Sequence, residues 1–171
     1  MENNTYFFTA TILNWNKILR EDKYKDIIVN SLQFLTNENR IKVFGFVIMP
    51  NHIHLIWKIL DGHTLPEVQR DFLKFTAQQI KLEIKNISPD KLKDFKVNAK
   101  DREFQIWERN ALATELITEA VLIQKLNYIH CNPIQERWNL CKDFQDYKYS
   151  SAGFYYKGES EWTFLTNYRE E

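Results

Sequence analysis

Residues 41–59, IKVFGFVIMPNHIHLIWKI, decide the fold. Residues 41–49 (IKVFGFVIM) and 52–59 (HIHLIWKI) are rich in β-branched and aromatic side chains, and Pro50-Asn51 between them favours a tight turn. The stretch reads as a hairpin. Upstream, residues 5–14 (TYFFTATILN) have the same strand character, while residues 18–39 repeat Ile18, Ile27, Ile28, Leu32 and Leu35 at helical spacing. Downstream, Thr64-Leu65-Pro66-Glu67 has capping-box form and opens a helix running to about Asn86. Residues 86–101 (NISPDKLKDFKVNAKD) are polar and lysine-rich and read as an irregular surface insertion, with a short strand expected at 103–107 (EFQIW). Thr118 caps a third helix with an apolar stripe of Leu122, Leu126 and Ile129, which Pro133 must end. The aromatic tail at about 147–171 is expected to pack back on the sheet. The order β-α-β-β-α-β-α implies one α+β domain over residues 1–171, ferredoxin-like, with an antiparallel sheet and helices mainly on one face.

Composition narrows the class without naming a function. The 171 residues are 44% hydrophobic and 15% aromatic with few Gly and Pro, which suits one packed core and argues against intrinsic disorder. Lys plus Arg and Asp plus Glu each number 23, so a polyanion would have to be met by a local cluster and not by the field of the whole molecule. Cys131 and Cys141 have neither the density of a disulfide framework nor the spacing of a paired zinc site, and read as two reduced thiols. No basic region followed by an apolar core opens the chain, and no apolar run nears the roughly 18 residues of a membrane span. A soluble cytoplasmic protein that does not engage membranes is expected.

The first candidate site lies inside the deciding stretch. Side chains alternate along a strand, so His52 and His54 share one face roughly 7 Å apart at Cα, while Ile53, Leu55 and Trp57 take the other. Two imidazoles so placed can share a divalent ion, and the opposite face supplies the core. By itself a His-x-His can equally be chance surface chemistry. No Asp or Glu lies nearby in sequence, so a third ligand would come from elsewhere.

The second candidate is KLNYIHCNPI, residues 125–134. Tyr128 and Asn132 are one helical turn apart on one face, away from Leu122, Leu126 and Ile129. If that face meets the histidines, Asn132 could complete a metal site and Tyr128 could stand beside a bound phosphate. Tyrosine is a poor nucleophile because a free phenol ionises only near pH 10, but a cation that favours phenolate and polarises a phosphoryl oxygen makes it effective. The resulting phosphotyrosine conserves the energy of the broken phosphodiester, so a DNA hydroxyl can later reseal it. A helical tyrosine can also be simple amphipathic packing. His130 is a further possible ligand but lies about 200° around the helix from Tyr128.

Together these segments resemble a known family. GFVIMPNHIHLIW resembles the His-hydrophobe-His (HUH) motif of the single-tyrosine transposases, and the helix ending in Tyr-Ile-x-x-Asn-Pro, followed by YKYSSA, is similar to the REP-associated tyrosine transposases (RAYTs). The resemblance spans about residues 5–155. It implies a ferredoxin-like fold, a Mg²⁺ or Mn²⁺ cofactor, and nicking and rejoining of single-stranded DNA next to palindromic hairpin (REP-like) repeats through a 5′-phosphotyrosine. Carried over residue by residue, His52 and His54 are metal ligands, Asn132 the third ligand and Tyr128 the nucleophile. Lys74 and Arg109 fall where the family has basic residues and are the expected DNA contacts, although a solvated surface charge serves as well for each. Relatives include dimers that exchange tyrosine helices and monomers, so both states stay open. The competing readings are a domesticated, non-cleaving binder of structured DNA or RNA, and a hydrolase using water on another phosphodiester. Two imidazoles suit Mn²⁺, Co²⁺, Ni²⁺ or Zn²⁺ better than oxygen-seeking Mg²⁺.

Overall fold

Alternation of apolar side chains sets the sheet. In a computed structural model describing residues 4–170, four strands form one antiparallel sheet: β1 (Thr5–Thr11), β2 (Ile41–Ile48), β3 (His52–Ile59) and β4 (Leu112–Glu115), in spatial order β2-β3-β1-β4. The outer bounds of the expected 1–171 domain, residues 1–3 and Glu171, lie outside the described residues. The α+β ferredoxin-like arrangement is thus the observed one. One face of the sheet, carrying Phe8, Ala10, Phe46, Ile53, Leu55 and Trp57, is wholly buried under α1 (Asp22–Asn37) and α2 (Leu65–Ile87), with Phe72 of α2 set edge-on against Phe8 and Trp57. The Glu67 carboxylate at the start of α2 accepts from the Thr64 N–H (3.2 Å) and from Thr64 Oγ1 (2.8 Å), as the sequence pattern requires.

The opposite face holds His52 and His54 and is covered by α3 (Glu119–Cys131). Its Leu122, Leu126 and Ile129 pack on Phe44, Val47, Met49 and Ile56. Thr118 Oγ1 accepts from the Val121 N–H at 3.3 Å, and the helix stops one residue before Asn132-Pro133. Close approach of α3 to β2 depends on Gly45, beside a register shift in that strand. A β-carbon there would lie 2.5 Å from Leu126 Cδ1 and 3.2 Å from Ile129 Cδ1. Gly45→Val is expected to destabilise the fold by about 1–3 kcal/mol through overpacking, read as a lowered urea midpoint with unchanged slope.

The tail returns to the sheet as expected, at the outer edge of β2: the Ile48 N–H donates to Tyr149 C=O (2.9 Å), Ser151 N–H to Phe46 C=O (3.0 Å) and Thr166 N–H to Val43 C=O (2.9 Å). Covering this edge satisfies strand groups that would otherwise be open to pairing with another chain. A short helix, α4 (Ala152–Tyr156), lies within the tail.

Two expectations need correction. Residues 103–107 form isolated bridges, Lys96 with Phe104 and Ile12 with Trp107, and not the fourth strand; they are apolar because Ile106 and Trp107 enter the core, where Trp107 Nε1 donates to Thr76 Oγ1 (3.0 Å). The fourth strand is β4, LATE, an edge strand exposed along its whole length. The 86–101 segment is also more than a surface excursion: Pro89–Phe95 coil into a 3₁₀ helix that plants Phe95 in the core, and Lys91 pairs with Glu21 at 2.7 Å. Cys131 and Cys141 are free thiols, and no described helix is long and apolar enough to cross a membrane.

Candidate active site

The hairpin turn delivers the two histidines side by side. His52 and His54 rings lie 4.9 Å apart between centroids, nearly perpendicular. Across the β1–β3 ladder Thr9 faces His54 and Thr11 faces His52, and Thr9 Oγ1 is hydrogen-bonded to His54 Nδ1 at 2.7 Å. Asn51 Nδ2 donates to Trp15 C=O (3.4 Å), which leaves Asn51 Oδ1 to accept from His52 Nδ1–H at 2.7 Å. That network assigns the His52 tautomer and puts its lone pair on Nε2. Nε2 of each ring has no hydrogen-bond partner among the described residues, an arrangement that suits a metal ligand whose other nitrogen is held by a neighbour.

α3 brings Tyr128 to this pair. Its ring stands 5.5 Å from that of His54 and 6.2 Å edge-on to Phe7, which itself stacks on His54 at 5.2 Å. Tyr128 is 43% exposed, so the phenol is open to solvent while its ring is seated. Asn132 differs sharply: it is fully buried, and neither its Oδ1 nor its Nδ2 has a hydrogen-bond partner in the protein. An unpaired buried amide is costly, by about 1–3 kcal/mol, and points to a partner the protein does not supply. Among the described residues no three His, Cys, Asp or Glu side chains cluster as a metal site. The two imidazoles are the donors brought together here; both are neutral, a pair that fits a borderline divalent ion and leaves its charge to be met by an anion.

Several neighbours escaped the sequence reading. Lys125, one turn before Tyr128, places Nζ 4.8 Å from the Phe7 ring and 5.9 Å from the Tyr128 ring. Arg137 lies 5.8 Å from the Trp138 ring, and Trp138 flanks His52 at 5.7 Å with its indole N–H buried and unpaired. Neither cation pairs with a carboxylate among the described residues. The i, i+3 spacing of Lys125 and Tyr128 was the available signal for the first; nothing local marked Arg137 or Trp138. His130 turns away from this site: it is buried, Nε2 is hydrogen-bonded to Ser151 Oγ (2.8 Å), and Tyr155 and Tyr156 flank its ring.

Burial, with Arg137 nearby, lowers the His52 imidazole to about 4; burial, then the charges of His52, Lys125 and Arg137, lowers His54 to about 3; burial alone lowers His130 to about 4. The folded protein thus keeps these rings neutral, whereas in the unfolded chain each takes a proton near pH 6.5. Between those limits the unfolded state binds more protons, so the contribution of these rings to stability is complete above pH 6.5 and falls as the pH drops toward 3–4. For the two most buried rings, His54 and His130, the loss is expected to approach about 1.4 kcal/mol per pH unit each, measurable by urea titrations across that window.

Lys74 and Arg109 do not join the histidines. They line a cleft of about 740 Å³ between α2 and residues 101–111, together with Arg70, Lys81 and Arg102 and opposed by Asp101 and Glu108. Arg109 is 3.6 Å from Asp101, while Lys74 has no ion-pair partner among the described residues. Arg109 also lines a second, smaller pocket that reaches Thr9 and Thr11, the cross-strand neighbours of the histidines.

No family model matches the chain, and no curated protein matches it. Several solved structures resemble it, among them these two. One, a REP-associated tyrosine transposase bound to a REP hairpin, aligns with a TM-score of 0.63 at 17% identity over 88% of this chain and 78% of that one. The other, called a "putative transposase" from Deinococcus radiodurans, aligns with a TM-score of 0.51 at 15% identity over 73% of this chain and 87% of that one. At these identities the likeness establishes the fold.

Proposed function

We propose that this chain is a transposase-like, metal-dependent single-strand DNA transesterase of the REP-associated tyrosine kind, which nicks and rejoins DNA beside hairpin repeats. The observation that carries this reading is the placement of the Tyr128 ring 5.5 Å, between centroids, from that of His54 within one chain, where two imidazoles keep free Nε2 atoms. The similarity in fold to a transposase that holds a REP hairpin supports the choice of substrate.

In this reading His52 and His54, with Asn132 as third ligand, hold Mn²⁺ or Mg²⁺. A divalent ion there supplies polarisation of a phosphoryl oxygen. Tyr128 Oη attacks phosphorus; the new Oη–P bond forms as the P–O3′ bond breaks, leaving a 5′-phosphotyrosine and a free 3′-hydroxyl, with the phenolic proton passing to solvent. Lys125, with Nζ 5.9 Å from the Tyr128 ring, steadies the phosphate. Thr9 and Asn51 orient the imidazoles. Lys74 and Arg109 contact the DNA backbone further along the strand.

The test is to incubate the protein with Mn²⁺ and labelled single-stranded hairpin oligonucleotides and look on a denaturing gel for protein-linked label. Label that survives denaturation supports the transesterase. Hairpin binding without any adduct under these conditions refutes cleavage and leaves a binding protein. Because Tyr128 sits on the histidines of its own chain, mixing Tyr128→Phe with His52→Ala protein is expected to restore no adduct; recovery on mixing would show that the tyrosine serves a partner's histidines.

Asn132 permits a further prediction. Asn132→Leu removes an unpaired buried amide at similar volume and should leave the fold as stable or stabilise it by about 1 kcal/mol, while weakening Mn²⁺ binding. Urea unfolding and metal titration read the two effects separately.

A further inference from the structure

Beside the histidine pair the backbone takes an unusual turn. Asn14 and Trp15 both have positive φ, 52° and 55°, a region that side-chain-bearing residues seldom occupy and a bulky one least of all. The turn is tied down by the Trp15 N–H donating to Ile12 C=O (2.9 Å), the Asn14 N–H donating to Glu108 Oε1 (2.7 Å), and Asn51 Nδ2 donating to Trp15 C=O (3.4 Å). The strain is not spent on packing: the Trp15 indole is 57% exposed and makes no ring or cation contact among the described residues.

Trp15 instead lines a small pocket of about 210 Å³, shared with Thr9, Thr11, Glu108, Arg109 and Leu112. This pocket is continuous with the histidines in two ways. Thr9 and Thr11 pair across the sheet with His54 and His52, and Asn51 joins the Trp15 carbonyl to His52 Nδ1. Arg109 lines both this pocket and the basic cleft along α2, so a strand leaving the histidines has a path over Trp15 toward Arg109 and Lys74.

We propose that this pocket takes one unpaired nucleobase of the DNA strand, stacked on the Trp15 indole, next to the phosphodiester held at the histidine pair. The inference rests on the transesterase reading and adds to it the position that orders the single strand. An exposed aromatic face beside a cation is how proteins hold unpaired bases, since every base offers a π-face and each linkage a phosphate. Glu108 sharpens the choice of base: one carboxylate oxygen is held by Asn14, and Oε2, which has no hydrogen-bond partner among the described residues, can accept from an exocyclic amine, favouring adenine, cytosine or guanine over thymine.

The experiment uses full-length Tyr128→Phe protein, which cannot trap DNA covalently, and a fluorescein-labelled DNA hairpin with a single-stranded extension on either end or with none. Anisotropy gives the Kd. Trp15→Ala should weaken binding of the extended hairpin by about 5- to 150-fold, the range of one base–aromatic stack, while leaving the hairpin without extension unchanged. Trp15→Phe should restore most of the loss. An abasic site moved along the extension should find one position that mimics Trp15→Ala in the Trp15 protein and adds nothing in the variant. Unchanged affinity for the extended hairpin, or equal loss for both probes, overturns the stacking proposal while leaving adduct formation by the Tyr128 protein intact. Failure of any of these DNAs to bind overturns the transesterase reading and this inference with it.

Discussion

Tyr128→Phe is expected to abolish the protein-linked label, by at least about 10³-fold, while binding hairpin DNA as well as the parent does. The change removes one oxygen from a side chain whose ring remains seated against His54 and Phe7, so the helix and its packing have no reason to move. A nucleophile contributes only during bond making, so its loss appears in the rate of adduct formation and not in affinity. If Tyr128→Phe forms as much adduct as the parent, another group attacks. If turnover persists without any adduct, water is the nucleophile and the protein is a hydrolase. Lys125→Gln offers a graded companion: the cation near the phenol is lost while the nucleophile stays, so the adduct should form more slowly.

His54→Gln is expected to eliminate both adduct formation and the response to metal. In the parent, Mn²⁺ binds the folded state and should raise the thermal midpoint with its concentration; a protein lacking one of two imidazoles should show almost no such shift. The readout is independent of catalysis, so it tests the metal site separately from the chemistry. His54 also stacks on Phe7 and hydrogen-bonds Thr9, and the variant should therefore lose some stability without metal. Tyr128→Phe supplies the control, since it should keep the full metal-dependent shift. An equal Mn²⁺ shift in His54→Gln and the parent would place the ion elsewhere.

Much of the molecule was legible because it is set by local rules. Strand alternation marked which side of β3 carries the histidines; the Thr64–Glu67 cap and Pro133 marked helix ends; Leu122, Leu126 and Ile129 marked the face of α3 that would be buried. Other parts had no local signature. β4 is four exposed residues at a sheet edge, held by pairing to β1, so neither hydrophobic alternation nor length announces it. Ile106 and Trp107 look like strand residues only because they are core residues. The polar composition of residues 86–101 hid Phe95, a single anchor that outweighs its solvated neighbours.

The sequence by itself determined the order of elements, the shared face of His52 and His54, and the one-turn spacing of Tyr128 from Asn132 at the end of α3, since each follows from periodicity within a few residues. Only the tertiary structure decided that α3 crosses the sheet on the histidine face, drawn close over Gly45, and that Tyr128 is left open while Asn132 is sealed without a partner. It also decided that Lys125 and Arg137 flank the pair while Lys74 and Arg109 stand along a separate cleft, and that Asn51 links His52 to an exposed Trp15. The reason is physical: a side chain's direction is a property of its own backbone, but its neighbours depend on which apolar faces find each other, and that is settled by the packing of the whole chain.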